Sequence, residues 1–179
     1  YQGIPITEEA IQSVPQIRPD GWSREQAERL QTAHMDLLRA VKDKPAGTEA
    51  GALYTPDMRL IDLRIGDSSA HQIVMPRCHE PHILIHNHPS GEMFSHVDIA
   101  PFVMSENMQA ITAVGNTGKV YMLLKDENYD GFLFLQVYKM ALPRFEEAIS
   151  ELDIKKYLAA MKDFLAEAGE YGAKFIERG

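Results

Sequence analysis

The sequence predicts an α/β fold in which a mixed β-sheet is sandwiched between helices. Short apolar segments bounded by turn-forming residues fill the middle of the chain, and amphipathic helical stripes stand before and after them. With 179 residues, 45% hydrophobic and 25% charged, the chain has the composition of a globular protein. We expect an extended lead-in over residues 1–22, a core over residues 23–125 that includes the first helix, and a C-terminal helical extension packed on it over residues 126–179.

The first helix is predicted directly after the lead-in. Ser23 is followed three residues later by Gln26, which is the pattern of a capping box. An apolar stripe at helical spacing then runs up to Lys42. Its members are Ala27, Leu30, Leu37, Leu38 and Val41. The sequence Pro-Ala-Gly at residues 45–47 ends this helix.

Strand-like segments form the centre of the chain. They are residues 51–54, 58–65, 71–75, 82–85, 110–114 and 119–124. Turn-forming residues at 55–57 and 66–68 separate the first three segments, so we expect an antiparallel meander there. The last two segments flank Asn-Thr-Gly at residues 116–118, which predicts a hairpin.

The C-terminal third is predicted to be helical. Residues 132–152 are apolar with an interruption at Pro143, and residues 154–165 carry a clean amphipathic stripe. Such stripes usually pack on a core. Docking of a substrate, or of a second subunit in a homodimer, is the alternative.

The most informative stretch is His-Asn-His-Pro-Ser-Gly at residues 86–91, which follows an apolar segment. Alternate residues of a strand point to one face, so His86 and His88 are expected to project together. Two imidazoles and the carboxylate of Asp98 suit zinc, and three protein ligands leave one coordination position open, as in catalytic sites. A lone buried histidine is more often a hydrogen-bonded core residue, but the combination of these three residues favours a metal site.

A helix is expected to begin near Asp98. Apolar residues at helical spacing follow it, and Pro101 is tolerated in the first turn of a helix. A carboxylate at this place can reach back to the end of the preceding strand. Ser95 and Asp98 could instead simply form a helix cap.

These residues resemble the JAB/MPN (JAMM) metalloprotease motif, which is H-x-H-P followed by S-x-x-D. The His-Asn-His-Pro-Ser-Gly form is similar to RadC-like and other bacterial or phage-associated JAB domains, and the resemblance covers roughly residues 46–125. In one departure, six residues separate His88 from Ser95, where many members have seven. The resemblance implies a cytidine-deaminase-like fold, with a mixed sheet between helices.

The resemblance also implies the roles of single residues. His86, His88 and Asp98 would bind zinc, Glu49 would be the general base, and Ser95 would help to hold the oxyanion. The implied activity is that of a zinc metalloprotease or isopeptidase, which hydrolyses an amide bond of a polypeptide or ubiquitin-like protein without a covalent intermediate. Taken alone, Glu49 could equally be a solvated carboxylate at a strand edge.

Two other functions remain open. A catalytically silent MPN-type scaffold would be expected to lack metal ligands or the glutamate, whereas here every position is filled. His-Asn-His could also be interpreted as part of an HNH-type nuclease. The formal net charge of −8 opposes that interpretation, because nucleic-acid binding needs clustered Lys and Arg, and we expect no nucleic-acid partner.

Composition bears on location and on a second site. No apolar run approaches the length of a membrane helix and no charged-then-apolar leader opens the chain, so we expect no membrane partner. The one cysteine, Cys78, cannot form an internal disulfide, which fits a cytoplasmic location. Its closeness to His79 and His82 would allow a second metal site, but a lone cysteine is usually a small buried hydrophobe. His96 is a weak candidate for substrate contact, with plain exposure as its alternative.

Overall fold

The structure, a computed structural model, describes residues 3–67 and 73–179 and has one six-stranded mixed sheet flanked by helices. The helices are α1 (Glu8–Gln12), α2 (Arg24–Lys42), α3 (His96–Met104), α4 (Gly131–Ser150) and α5 (Ile154–Glu170). The strands are β1 (Ala50–Tyr54), β2 (Leu60–Ile65), β3 (His82–His88), β4 (Met108–Gly115), β5 (Val120–Lys125) and β6 (Ala173–Arg178). Their order in the sheet is β2-β1-β3-β4-β5-β6. Only β3 and β4 run parallel, and the other neighbouring pairs are antiparallel.

The two faces of the sheet carry separate hydrophobic cores, because successive side chains of a strand point to opposite faces. Ile83 and Ile85 of β3 belong to the core formed with α1 and α2. The opposite face is covered by α3, α4 and α5 through a cluster of buried phenylalanines. They are Phe94, Phe102, Phe134, Phe145 and Phe164. The alternation therefore turns His86 and His88 towards the face covered by α3–α5.

The helix predicted after the lead-in is confirmed as α2. The Ser23 side chain accepts a hydrogen bond from the Gln26 backbone N–H, and the Gln26 side chain accepts one from the Ser23 backbone N–H. The lead-in itself differs from the expected extended segment, because it contains α1. Ile11 of α1 is fully buried, since it packs in the same core as α2.

The predicted hairpin is confirmed in β4–β5, and the first two segments of the predicted meander pair antiparallel as β1 and β2, but the third segment does not join them as a strand. Residues 71 and 72 lie outside the described part of the chain, and residues 73–75 form no strand. A Cβ added at Gly51 would lie 3.0 Å from Met75 Sδ and 3.4 Å from Ile73 Cγ2. The missing side chain of Gly51 thus lets residues 73–75 lie over β1, and the buried strand β3 takes the place beside it.

The C-terminal segment differs from the purely helical extension that the sequence predicts. Its last element, β6, pairs with β5, so residues 126–179 complete the sheet of the core. α5 ends before Gly172, whose φ of +83° suits glycine. α4 continues through Pro143, because Pro143 and Lys139 are exposed and water can bind the carbonyl that loses its intrahelical partner. Among the helices of the described residues, none is long and apolar enough to cross a membrane.

Candidate metal centre

His86 and His88 stand at the carboxyl end of β3 with their rings facing each other. The two Nε2 atoms are 2.9 Å apart, and the ring centroids are separated by 4.6 Å. Their side chains are 13% and 12% exposed, so the pair is largely buried but still reaches solvent. The expectation that the alternation of a strand brings the two imidazoles together is confirmed.

Asp98 completes the group from the first turn of α3. Its Oδ2 lies 3.0 Å from His88 Nε2 and 3.8 Å from His86 Nε2. The same oxygen accepts a hydrogen bond of 2.9 Å from the backbone N–H of Ser95, while Ser95 Oγ accepts one of 3.2 Å from the Asp98 backbone N–H. Asp98 is therefore both a helix cap and a possible metal ligand, and the capping box directs its carboxylate towards the histidines. The helix starts at His96, so Pro101 lies in its second turn, later than expected.

A backbone carbonyl fixes the proton on His88. His88 Nδ1 lies 2.7 Å from the carbonyl oxygen of Glu92, and because a carbonyl only accepts, Nδ1 must carry the hydrogen. In the neutral ring, this leaves the lone pair on Nε2, where it points to His86 and Asp98. A backbone acceptor behind the imidazole is the usual support of a metal-binding histidine.

The three side chains fit a metal ion. Their ligand atoms all lie within 4.8 Å of one another, and two imidazole nitrogens with one carboxylate oxygen form a donor set that transition metals accept. Two Nε2 atoms at 2.9 Å repel each other unless a proton or a cation lies between them. His86 Nδ1 is buried without a hydrogen-bond partner, although the Thr112 backbone lies close enough to favour the charged ring.

The charges of the group favour metal binding. Burial acts to raise the pKa of Asp98, but hydrogen bonds and charges from His86 and His88 outweigh it and hold the pKa well below its ordinary value. Burial lowers the pKa of His86, which favours the neutral ring that metal binding requires. Burial also acts to lower the pKa of His88. The hydrogen bond and the charge of Asp98 outweigh burial there, so the pKa of His88 is raised. Protons therefore compete with a metal mainly at His88.

Glu49, which resemblance alone assigned as the general base, is near enough to this group to feel the charges of His88 and Asp98. It directly precedes β1 and is half-buried. Burial raises the pKa of Glu49 to about 7, the charge of His88 lowers it, and the charge of Asp98 raises it further. The Glu49 carbonyl accepts a 2.8 Å hydrogen bond from the Gly66 backbone N–H, which anchors it to the end of β2. A carboxyl with this pKa in the electrostatic field of a possible metal site is suited to proton transfer.

Asn87 is a residue that the sequence analysis missed. It points away from the histidines, is completely buried, and its Oδ1 accepts a 2.6 Å hydrogen bond from the Ala50 backbone N–H. Its Nδ2 lies 3.2 Å from both the Thr48 carbonyl and Asn116 Oδ1. Asn87 thus binds the backbone on both sides of Glu49. The sequence does contain a pattern that could have indicated this role, because Asn87 is a polar residue on a face of β3 that is otherwise formed by isoleucines.

His96 is held by contacts with the two C-terminal helices. Its ring stacks on Phe145 with a centroid distance of 5.3 Å. The Tyr157 hydroxyl lies 2.9 Å from both the backbone N and Nδ1 of His96, and the Tyr138 hydroxyl donates to the His96 carbonyl at 3.0 Å. These contacts tie the first residue of α3 to α4 and α5, so His96 has a positioning role at the start of this helix.

The possible second metal site around Cys78 is not formed. In the described part of the chain, the only group of three or more His, Cys, Asp or Glu side chains with suitable geometry is that of His86, His88 and Asp98. Cys78 Sγ contacts the Glu80 carbonyl at 3.5 Å, and His82 is buried with Nδ1 2.8 Å from the same carbonyl.

Comparison with known proteins found no matching family model, curated protein or solved structure. The function of the chain therefore has to be inferred from its own residues.

Proposed function

We propose that this chain is a zinc-dependent metallopeptidase of the JAB/MPN (JAMM) type, which hydrolyses a peptide or isopeptide bond in a polypeptide or ubiquitin-like protein. The observation that carries the proposal is the convergence of His86 Nε2, His88 Nε2 and Asp98 Oδ2, with Glu49 close enough for the charges of His88 and Asp98 to shift its pKa. The mixed sheet between helices, with the histidines at the end of a central strand and Asp98 at the start of the next helix, supports the JAB/MPN-like fold.

Zinc is the metal that best suits this donor set. Imidazole nitrogens and a carboxylate oxygen are common zinc ligands, and three of them leave one position for water or substrate. When bound, zinc would polarise the scissile carbonyl and make water a stronger acid near neutral pH.

The proposed roles of the other residues follow from their protonation and position. Glu49 takes a proton from the attacking water and delivers it to the leaving amine, so that it ends in its starting state. A pKa raised by burial makes both transfers accessible near neutral pH. Ser95 Oγ already accepts from the Asp98 backbone N–H, and its hydroxyl hydrogen is the donor for the negative charge that develops on the carbonyl oxygen.

The first test separates metal binding from catalysis. We expect about one zinc per purified chain by elemental analysis, lost in His88→Ala because one of three ligands is removed. Glu49→Gln keeps the size of the side chain but removes the proton acceptor. It should retain the zinc and lose hydrolysis of peptide and ubiquitin-like substrates by about 10²- to 10⁴-fold.

Glu92→Gln is the matched control, because only the backbone carbonyl of Glu92 contacts His88 and its side chain is exposed. This variant should keep both zinc and activity. Absence of zinc from the wild-type protein would overturn the metal site, and unchanged activity in Glu49→Gln would remove Glu49 from the mechanism. Bound zinc without hydrolysis of any substrate would favour the catalytically silent scaffold.

A further inference from the structure

β2 is an outer strand of the sheet, and its apolar side chains are unusually exposed. Leu60, Ile61, Leu63 and Ile65 are 56%, 42%, 42% and 43% exposed. Among residues 3–67 and 73–179, the only strand paired with β2 is β1, so in this part of the chain no strand covers its other edge. An exposed apolar edge is a template for pairing with another strand.

The two faces of β2 differ in character. Leu63 lies opposite Ala52 and Ile65 opposite Ala50, so both extend the core on the α2 side of the sheet. Asp62 and Arg64 alternate with them and point to the other face. There Arg64 Nη2 lies 3.3 Å from Asp62 Oδ2.

We propose that β2 pairs antiparallel with β2 of a second copy of this chain, around a two-fold axis through Leu63. In this register Leu63 lies opposite the partner's Leu63, Asp62 opposite the partner's Arg64, and Arg64 opposite the partner's Asp62. An axis perpendicular to the sheet keeps each face on its own side, so apolar side chains meet on one face and opposite charges on the other. Ile65 of each copy lies opposite the partner's Ile61, where β2 carries a bulge.

The charge sequence selects this register. An axis through Asp62 would place two aspartates directly opposite each other, and an axis through Arg64 would do the same with two arginines. Like charges at directly opposite positions destabilise an antiparallel pair. Only the axis through Leu63 turns Asp-Leu-Arg into two ion pairs, and this complementarity of β2 with itself is our reason for assigning the edge to a second copy.

The proposal is independent of the proposed function. Pairing would join two six-stranded sheets into one continuous sheet and would cover two apolar edges at once. The Glu49 segment lies near this interface, because the Gly66 backbone N–H at the end of β2 donates to the Glu49 carbonyl.

The test measures native mass by light scattering after size exclusion over a series of protein concentrations. The wild-type chain should reach twice its monomer mass of 20.2 kDa. Asp62→Arg and Arg64→Asp each place like charges opposite each other, so each variant alone should be monomeric. An equimolar mixture of the two variants should restore the dimer, because every charge then faces its opposite. Lys174→Glu on β6, the other outer strand, is the matched control and should dimerise like the wild type.

Circular dichroism of each variant establishes that it is folded before its mass is interpreted. A wild-type chain that stays monomeric throughout the series would overturn the proposal. So would reversal variants that dimerise as well as the wild type, since the dimer would then form elsewhere. Folded single variants that fail to associate when mixed would equally contradict charge pairing across β2.

Discussion

Asn87, between the two histidines, controls the place of Glu49 without touching it. Its side-chain amide accepts from Ala50 and donates to Thr48, the two neighbours of Glu49, in a buried environment. The strand that carries the two candidate metal-binding histidines therefore also holds the segment of the proposed base. A shift of β3 would move both parts of the site together.

Asn87→Ala should separate positioning from metal binding. It leaves the Ala50 N–H and the Thr48 carbonyl buried without partners, which costs about 2–5 kcal/mol of unfolding free energy. We expect zinc content to persist, while kcat falls more than KM rises because Glu49 is no longer held in place. The measurements are urea unfolding, elemental analysis and steady-state kinetics.

Asn116→Ala is the control for this prediction, because it removes one contact of Asn87 and leaves the two bonds around Glu49. Equal losses of kcat in both variants would show that general loosening, and not the position of Glu49, is responsible.

The sequence predicts single residues well where the determining contact is local. His86 and His88 follow from strand alternation, and Asp98 from its place in the first helical turn, three residues after Ser95. Glu49 entered by resemblance alone, since nothing in its neighbours points to a metal. The role of Asn87 depends on partners 37 and 39 residues away in the chain, which no local pattern reveals.

At the scale of elements, α3 is held at its first turn by the two C-terminal helices. The Tyr157 hydroxyl on α5 accepts from the His96 backbone N–H, one of the groups that a helix leaves without an internal partner. The Tyr138 hydroxyl on α4 holds the carbonyl of the same residue. Asp98, two residues further on, thereby depends on helices that carry no ligand themselves.

Tyr157→Phe should weaken zinc binding while the fold persists. The ring still packs on Phe145, but the hydroxyl that fixes the start of α3 is lost. Loss of such a supporting contact typically lowers metal affinity by about 10- to 100-fold. Competition with a chromophoric chelator measures the affinity, and Tyr171→Phe, just after the end of α5, is the control. Equal zinc affinities in all three proteins would contradict the role of Tyr157.

Elements with strong local patterns are the ones that the sequence predicts. α2 has a capping box and an apolar stripe, and the β4–β5 hairpin has its turn residues. β6 has neither signal, since Ala-Lys-Phe-Ile-Glu-Arg becomes a strand by pairing with β5. Residues 73–75 have strand-like composition but pack over Gly51, so tertiary contacts overrule their propensity.

At the scale of the whole molecule, the core between α2 and the sheet encloses the ionisable side chain of His34. His34 is buried, and its Nε2 lies 2.7 Å from Thr112 Oγ1. Burial, followed by the charge of His86, lowers the pKa of His34 to about 3 from its ordinary value of 6.5. The folded chain therefore leaves this histidine neutral at pH values where the unfolded chain protonates it.

The protein should accordingly lose stability as the pH falls below about 6.5. Between that value and about 3 the unfolded state binds one more proton at His34, which at about pH 5 costs on the order of 2 kcal/mol. His34→Gln can keep the bond to Thr112 but does not titrate, so its urea midpoint should fall less between about pH 7.5 and 5. Parallel pH profiles for the two proteins would assign the acid sensitivity to other groups.

The predicted division into lead-in, core and extension describes the order of segments along the chain. It does not describe how the first and last segments pack into the core. Ile11 of the lead-in is buried with α2, and Asn116 Nδ2 donates to the Ile4 carbonyl at 2.8 Å. At the other end, β6 supplies an outer strand of the sheet. Contacts between distant segments depend on the assembled sheet, so composition along the chain could not reveal them.

The carbonyl that fixes the proton on His88 belongs to the peptide backbone of Glu92. Every amino acid carries the same carbonyl, so position 92 can mutate without loss of this contact. The sequence is constrained instead at the two glycines that set the path of the loop. Gly91 has a φ of +74°, which suits glycine. A Cβ added at Gly115 would lie 2.8 Å from the Cα of Gly91, so a side chain does not fit there. We therefore expect substitutions to be tolerated at residue 92 and not at Gly91 or Gly115.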